Sequence, residues 1–158
     1  MKILLFPYAK LMRNDKEHPK NYTKWSELVK LLEAEGHKLT QVGITGEHQL
    51  VDDFVPDLSY TELCDMIRSY DTWIGVDSYG QHLAWSVGKP GITIFGQSDP
   101  LIFGHSENIN LLKDRKYLRL HQFWLWEQCD ADPEVWVEPE VVLKALNENF
   151  YMAPEVSK

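Results

Sequence analysis

The stretch Thr72-Trp73-Ile74-Gly75-Val76-Asp77-Ser78-Tyr79-Gly80-Gln81-His82-Leu83-Ala84-Trp85-Ser86-Val87-Gly88-Lys89-Pro90-Gly91-Ile92-Thr93-Ile94-Phe95 decides the fold. Its first five residues form a short apolar run of strand length. Asp77 to Gln81 is a polar turn, and His82 to Val87 reads as a short helix closed by Gly88. Lys89-Pro90 then leads into a second strand, Gly91 to Phe95, which runs out into another polar turn, Gly96 to Pro100. Strand, turn, helix and strand at this spacing form a βαβ unit. Two strands joined in that way lie parallel, and a parallel sheet needs helices on its faces.

Working outward, Lys2 to Pro7 reads as a buried strand stopped by proline. Residues 8–21 form a polar, basic loop. Trp25, Leu28, Val29, Leu31 and Leu32 recur at helical spacing, with Asn21 or Thr23 available as a cap and Gly36 as the stop. His37 to Gly43 is a further strand, followed by the turn Gly43-Ile44-Thr45-Gly46 and Glu47. Phe54-Val55-Pro56 is a short extended piece. Ser59 stands three residues before Glu62, the spacing of a capping box, and Leu63, Met66 and Ile67 stripe the helix that it opens. Glu140 to Leu146 is a final helix entered after Pro139. The expected architecture is a three-layer α/β domain, a parallel Rossmann-like sheet flanked by helices, over residues 1–148, with a tail at 149–158.

The chain has 158 residues, 16 Lys+Arg against 24 Asp+Glu, and a formal net charge of -8. One domain of this size buries enough surface to fold without disulfides or structural zinc. No apolar run approaches the ~20 residues of a membrane-spanning helix, and Ile3 to Phe6 is too short for a signal-peptide core. Cys64 and Cys129 fit no metal spacing and no disulfide framework, so a cytoplasmic setting is expected. An acidic chain is a poor generic partner for nucleic acid. The charge is uneven, however. Residues 1–40 carry eight basic and five acidic side chains, against eight and nineteen in residues 41–158. A basic first quarter can meet a small anion, or it can be an unevenly decorated surface.

Ligands of an open parallel sheet bind beyond the carboxyl ends of its strands. Residues 8–21, Gly43 to Glu47, Asp77 to Gln81 and Gly96 to Pro100 all leave such ends. Glycine and small polar residues there let backbone N–H groups approach an anion, and a helix starting near Gly80 would aim its positive N-terminus at the same place. Many turns of this composition bind nothing. Asp77 is open to two readings, a helix cap or a group that orients donors around a ligand. His82 is likewise either a structural histidine or a hydrogen-bond donor to a phosphate or leaving-group oxygen.

The combination of Trp73 to Ala84, Gly88-Lys89-Pro90 and Ile94-Phe95-Gly96-Gln97-Ser98-Asp99-Pro100 resembles the signature of glycosyltransferase family 9, the heptosyltransferase family. That signature has a strand, Asp-Ser/Thr-Gly, two residues and His-Leu-Ala, then Gly-x-Pro, then Phe-Gly-x-Thr/Ser-Asp-Pro. Phe6 to Ala9, Lys20 to Trp25, Gly43 to Glu47, Ser59 to Ile67 and Val137 to Leu146 are similar to further stretches of the C-terminal half of that family. The resemblance implies the donor-binding half-domain of a GT-B glycosyltransferase, with a nucleotide-diphosphate sugar as donor substrate and neither metal nor other cofactor. By the same resemblance His82 and Asp77 are the candidate catalytic residues. Tyr8, Lys20, Gly43, Glu47, Ser78, Tyr79, Gly80, Gln81, Gln97, Ser98 and Asp99 are the candidate donor-binding residues. Lys20 would contact the phosphates and Glu47 would lie near the nucleoside. Tyr79 stands where the family usually has glycine, and Asn21 replaces the family's arginine.

The resemblance covers only half of a two-domain enzyme. The acceptor half would therefore come from a separate chain or from other copies of this one. Phe123-Trp124-Leu125-Trp126 and Trp136 can serve such an interface or fill the core. The alternative function is a non-catalytic module that binds a nucleotide or nucleotide-sugar for sensing or sequestration.

Overall fold

The computed structural model describes residues 1–151; the tail expected at 149–158 lies outside the described residues from residue 152 onward. Six strands, β1 (Lys2–Phe6), β2 (Lys38–Gly43), β3 (Phe54–Pro56), β4 (Thr72–Val76), β5 (Ile92–Phe95) and β6 (Ile109–Leu112), form one sheet in the order β3-β2-β1-β4-β5-β6. Every pairing is parallel, with Leu5 opposite both Gln41 and Ile74 at the centre. The helices are α1 (Trp25–Ala34), α2 (Tyr60–Ser69), α3 (Tyr79–Ser86), α4 (Pro100–Phe103) and α5 (Pro139–Asn149).

The sequence of β1 explains why it lies in the middle. Successive side chains of a strand point to opposite faces, and both faces of this one are apolar. Ile3 and Leu5 join Trp25, Leu28 and Leu32 of α1 and Val142 and Leu146 of α5 in one core. Leu4 and Phe6 join Cys64 and Ile67 of α2 and Leu83 and Ala84 of α3 in the other. Burial of four apolar side chains in five residues contributes on the order of 1.5–3 kcal/mol each. The strand has no polar register in which it could slip to a surface.

Two local details position the later site. A Cβ on Gly80 would lie 2.5 Å from ring atoms of Phe6, so only glycine lets α3 start directly against the end of β1. The β2–β3 crossover has no helix. Instead the buried Gln41 amide closes it, donating to the His48 carbonyl at 2.9 Å and accepting from the Leu50 N–H at 2.7 Å.

The capping box at Ser59 and Glu62 forms as its spacing predicts. Three local expectations are corrected. The helix expected from His82 begins three residues earlier, at Tyr79. Gln81 is no turn residue: its amide is fully buried and bonds back to Asp77 one helical turn away. The cap of α1 is Lys24, with no side-chain cap bond, because the Asn21 side chain accepts the Ala9 N–H at 2.8 Å and ties down the 8–21 loop. Finally, β6 and α4 are only four residues long, too short for their apolar residues to show a period, and the β6 side chains are only half-buried.

No helix among the described residues is long and apolar enough to cross a membrane.

Candidate functional site

Strand order reverses between β1 and β4, the point at which parallel sheets of this kind leave a crevice beyond their carboxyl edge. A cavity of ≈ 570 Å³ opens there. Eight of the expected site residues line it: Tyr8 after β1, Lys20 in the following loop, Gly43 and Glu47 after β2, and Asp77, Ser78, Tyr79 and Gly80 after β4. Gln81, His82, Gln97, Ser98 and Asp99 do not.

The floor is an ion pair. Lys20 Nζ lies 3.2 Å from Asp77 Oδ2, with the lysine side chain 19% and the aspartate 4% exposed. Gln81 Nε2 donates to Asp77 Oδ1 at 2.6 Å, and Thr93 Oγ1 donates to Gln81 Oε1 at 3.2 Å. Gln81 therefore stands behind Asp77 and orients it. The lysine ammonium is guided by aromatic faces, 5.1 Å from the Trp126 ring and 5.6 Å from that of Phe103, an arrangement that favours a cation. Above the pair, Ser78 occupies the N-cap of α3 but its hydroxyl accepts no helix N–H. The first-turn amides of α3 thus have no side-chain cap, and their partial positive charge meets the cavity.

The β2 side differs. The Glu47 carboxylate is packed against Gly43, where any Cβ would collide with Oε2. That oxygen is buried without a hydrogen-bond partner. Burial pushes the Glu47 carboxyl above its ordinary range, offset in part by the Ile44 backbone and reinforced by Asp57. Tyr8 is pushed up to about 12 by its own burial and by Glu17 and Glu47, so its phenol keeps its proton. Asp57, at φ 60, accepts the backbone N–H of Thr45 at 3.0 Å and the Thr45 hydroxyl, bracing the rim. Val42, Val55, Leu58 and Leu63 give this end an apolar lining, and Tyr79 stands 59% exposed beside it.

The remaining candidates have other surroundings. His82, the fourth residue of α3, has its Nδ1 2.8 Å from His105 Nε2. Gln97 accepts from Cys129 Sγ at 2.8 Å and donates to the Asp130 carbonyl at 3.2 Å. Ser98 is buried. Asp99 caps α4 and takes a two-pronged bond from Arg115 at 3.0 and 2.8 Å, which holds its carboxyl below the usual range. Trp126 and Trp136 are buried, whereas Phe123 and Trp124 are exposed on a groove of ≈ 720 Å³ that shares Lys10, His18 and Ile44 with the cavity.

Sequence reasoning passed over His18 and the role of Trp126. His18 Nδ1 accepts the Lys20 N–H at 3.2 Å, and burial with the nearby Lys20 holds the imidazole down to about 4, hence neutral. A histidine two residues before the lysine in a basic loop was the available signal. The lysine–tryptophan approach spans more than a hundred residues and has no local signal.

A crevice at the switch point of an all-parallel sheet flanked by helices defines a Rossmann-like α/β domain. The sequence model of glycosyltransferase family 9 (heptosyltransferase) matches residues 1–122. This chain belongs to that family. It is 31% identical over 100 residues to lipopolysaccharide heptosyltransferase 1 of Campylobacter coli, covering 62% of this chain and 28% of that protein. Among solved structures it resembles E. coli heptosyltransferase WaaC with ADP (TM-score 0.65, 16% identity, 94% of this chain, 44% of that one). It also resembles E. coli ADP-heptose lps heptosyltransferase II (TM-score 0.68, 16% identity, 93% and 45%). These likenesses extend the fold match over nearly the whole chain, while the chain spans less than half the length of the relatives.

Proposed function

We propose that the cavity between β1 and β4 binds the diphosphate of a nucleotide-sugar donor, and that the chain supplies the donor side of a glycosyl transfer. The observation that carries this reading is the convergence on one crevice of Lys20 and the side-chain-uncapped start of α3. Transfer of a glycosyl group from such a donor leaves a nucleoside diphosphate, and negative charge accumulates on its terminal phosphate as the glycosidic bond breaks. Donors preset at that position stabilise the departing anion more than the bound substrate. Lys20 takes that part, with Asp77 holding the ammonium in place, and Ser78, Tyr79 and Gly80 present backbone N–H groups. The reading assigns no metal ion to the diphosphate. Glu47, with an unpartnered oxygen, accepts a hydroxyl of the nucleoside, and the apolar end beside Tyr79 takes the base.

The acceptor reaches the sugar from the side of the Phe123–Trp124 groove. Free Cys64 and Cys129 fit the proposed cytoplasmic setting.

The test is calorimetric titration and thermal shift with ADP, UDP, GDP and ADP-heptose, with and without a chelator. At least one nucleotide should bind saturably and raise the melting temperature, and the chelator should leave that binding unchanged. Absence of any shift at millimolar nucleotide overturns the reading. Slow release of free sugar from a bound donor, water replacing the acceptor, separates transfer from binding alone.

A further inference from the structure

His82 does not line the cavity, but it follows Tyr79 and Gly80, which do, on the same helix α3. On one side is His105, from the loop between α4 and β6, with its Nε2 2.8 Å from His82 Nδ1. The charged groups acting on His82 from the other elements are Asp77 and Lys20, the ion pair of the cavity floor. His105 is itself held. Its ring stacks on Trp85 at 4.6 Å between centroids and 10° between planes. Its carbonyl accepts the Asn110 side-chain amide at 2.9 Å and the Asn108 N–H at 3.1 Å.

Two neutral imidazoles 2.8 Å apart share one proton between the facing nitrogens. If His82 Nδ1 carries it, both rings must adopt the Nδ1–H tautomer, and His82 Nε2 is a bare acceptor. If His105 Nε2 carries it, both rings take the Nε2–H tautomer, which an isolated histidine side chain prefers. The hydrogen bond made at one ring nitrogen decides the state of the other. Both intrinsic preferences therefore select the second arrangement.

We infer that His105 is a positioning residue that donates from Nε2 to His82 Nδ1, locking His82 with its proton on Nε2, so that its other ring nitrogen offers an anion bound at the start of α3 a donor and not a bare acceptor. A bare nitrogen there would repel a phosphate oxygen, and an N–H attracts one. The stacked Trp85 fixes the ring plane of His105, so the donor direction does not depend on a mobile side chain. The inference rests on the donor-binding reading for the identity of the anion but not for the tautomer.

The tautomer is read directly from long-range proton–nitrogen NMR spectra of protein carrying 15N-histidine, at neutral pH and without ligand. His82 should show a pyridine-like Nδ1 and a pyrrole-like Nε2. His105→Phe keeps the stack on Trp85 and removes the donor. In that variant the two His82 nitrogen shifts should move toward the average of a mixed population. His105→Gln, which still offers an amide N–H, should restore the Nε2–H pattern. Nucleotide affinity should fall by less than about twofold in His105→Phe, because a free His82 still mostly carries its proton on Nε2 and only the competent fraction changes, and should recover in His105→Gln. An Nδ1–H pattern in the parent protein, or an unchanged His82 pattern in His105→Phe, overturns the inference. If no nucleotide binds the parent protein, the donor reading fails by itself, and the spectra still decide the role of His105.

Discussion

The turn after β4, Asp77-Ser78-Tyr79-Gly80, and the turn after β5, Gly96-Gln97-Ser98-Asp99, leave neighbouring central strands at the same edge of the sheet, and each opens a helix. Their compositions are alike, and both belong to the family signature. Their polar atoms have opposite fates. After β5, Gln97 is taken up by Cys129 and Asp130, and Asp99 by Arg115 and the Leu101 N–H. After β4, Asp77 meets a lysine that lines a cavity, and the Ser78 hydroxyl caps nothing. A turn whose groups are satisfied by the protein holds the fold together. A turn whose groups are left facing a crevice can be satisfied by a ligand. The comparison therefore separates a binding turn from a structural one by partners rather than by composition.

The largest effect that can break this comparison is on affinity. Lys20→Met keeps the length of the side chain and removes its charge. It should weaken binding of the nucleotide by about 10–50-fold, the loss of a partly buried charge-assisted contact. The affinity of the parent protein should fall with added salt, and the variant should lose part of that dependence. Titration at two ionic strengths, with far-UV circular dichroism to confirm the fold, measures both. Undiminished binding by Lys20→Met would remove the β4 turn from the functional side of the contrast.

The converse experiment concerns the β5 turn. Asp99→Ala deletes an N-cap and one half of a pair whose arginine is largely exposed. The expected loss is about 1 kcal/mol of stability, nearly all from the cap, with nucleotide affinity unchanged. The folded carboxyl of Asp99 titrates below its unfolded value, so its contribution is present above the ordinary carboxylate range. It disappears as pH falls through the folded value, so the parent and variant melting curves should converge in acid. A drop in affinity comparable to that of Lys20→Met would erase the distinction between the two turns.

The sequence carried this contrast only in part. Strands β1, β4 and β5 were legible because a strand covered on both faces is mostly apolar, β2 was legible from its bounding turns despite the buried Thr40 and Gln41, and the capping box at Ser59 was legible because both partners lie within four residues. Half-buried β6, with Asn110 in its centre, offers no such run. At the site, family resemblance picked out all the polar turn residues at once. Which of them face the cavity depends on Arg115 reaching back sixteen residues to Asp99 and Cys129 reaching back thirty-two to Gln97. Lys20 was legible as a basic residue in a loop, but the aromatic faces that steer it come from Phe103 and Trp126. A local pattern specifies which groups are offered at a strand end. Partners brought by the tertiary fold determine which of them remain available.

The smallest effect sharpens the contrast on the β2 side, where Glu47 has a buried carboxylate oxygen without a partner. A binding group kept unsatisfied should cost stability in the empty protein. Glu47→Gln keeps the shape and removes the charge, so it should stabilise the empty protein at neutral pH by about 0.5–1 kcal/mol, a rise of about 1–4 °C in melting temperature. The sign with pH follows from the raised folded carboxyl. The native state binds a proton before the unfolded state does, so the parent protein gains stability relative to the variant as pH falls through the folded value. The advantage of Glu47→Gln should therefore shrink in acid. It should also be offset at neutral pH by added nucleotide, because the carboxylate that destabilises the empty cavity is the one assigned to a nucleoside hydroxyl. Melting curves of both proteins with and without nucleotide, at neutral and acid pH, test this. A variant less stable than the parent at neutral pH without ligand would show that Glu47 already has its partner within the fold, and would move the turn after β2 to the structural side with the turn after β5.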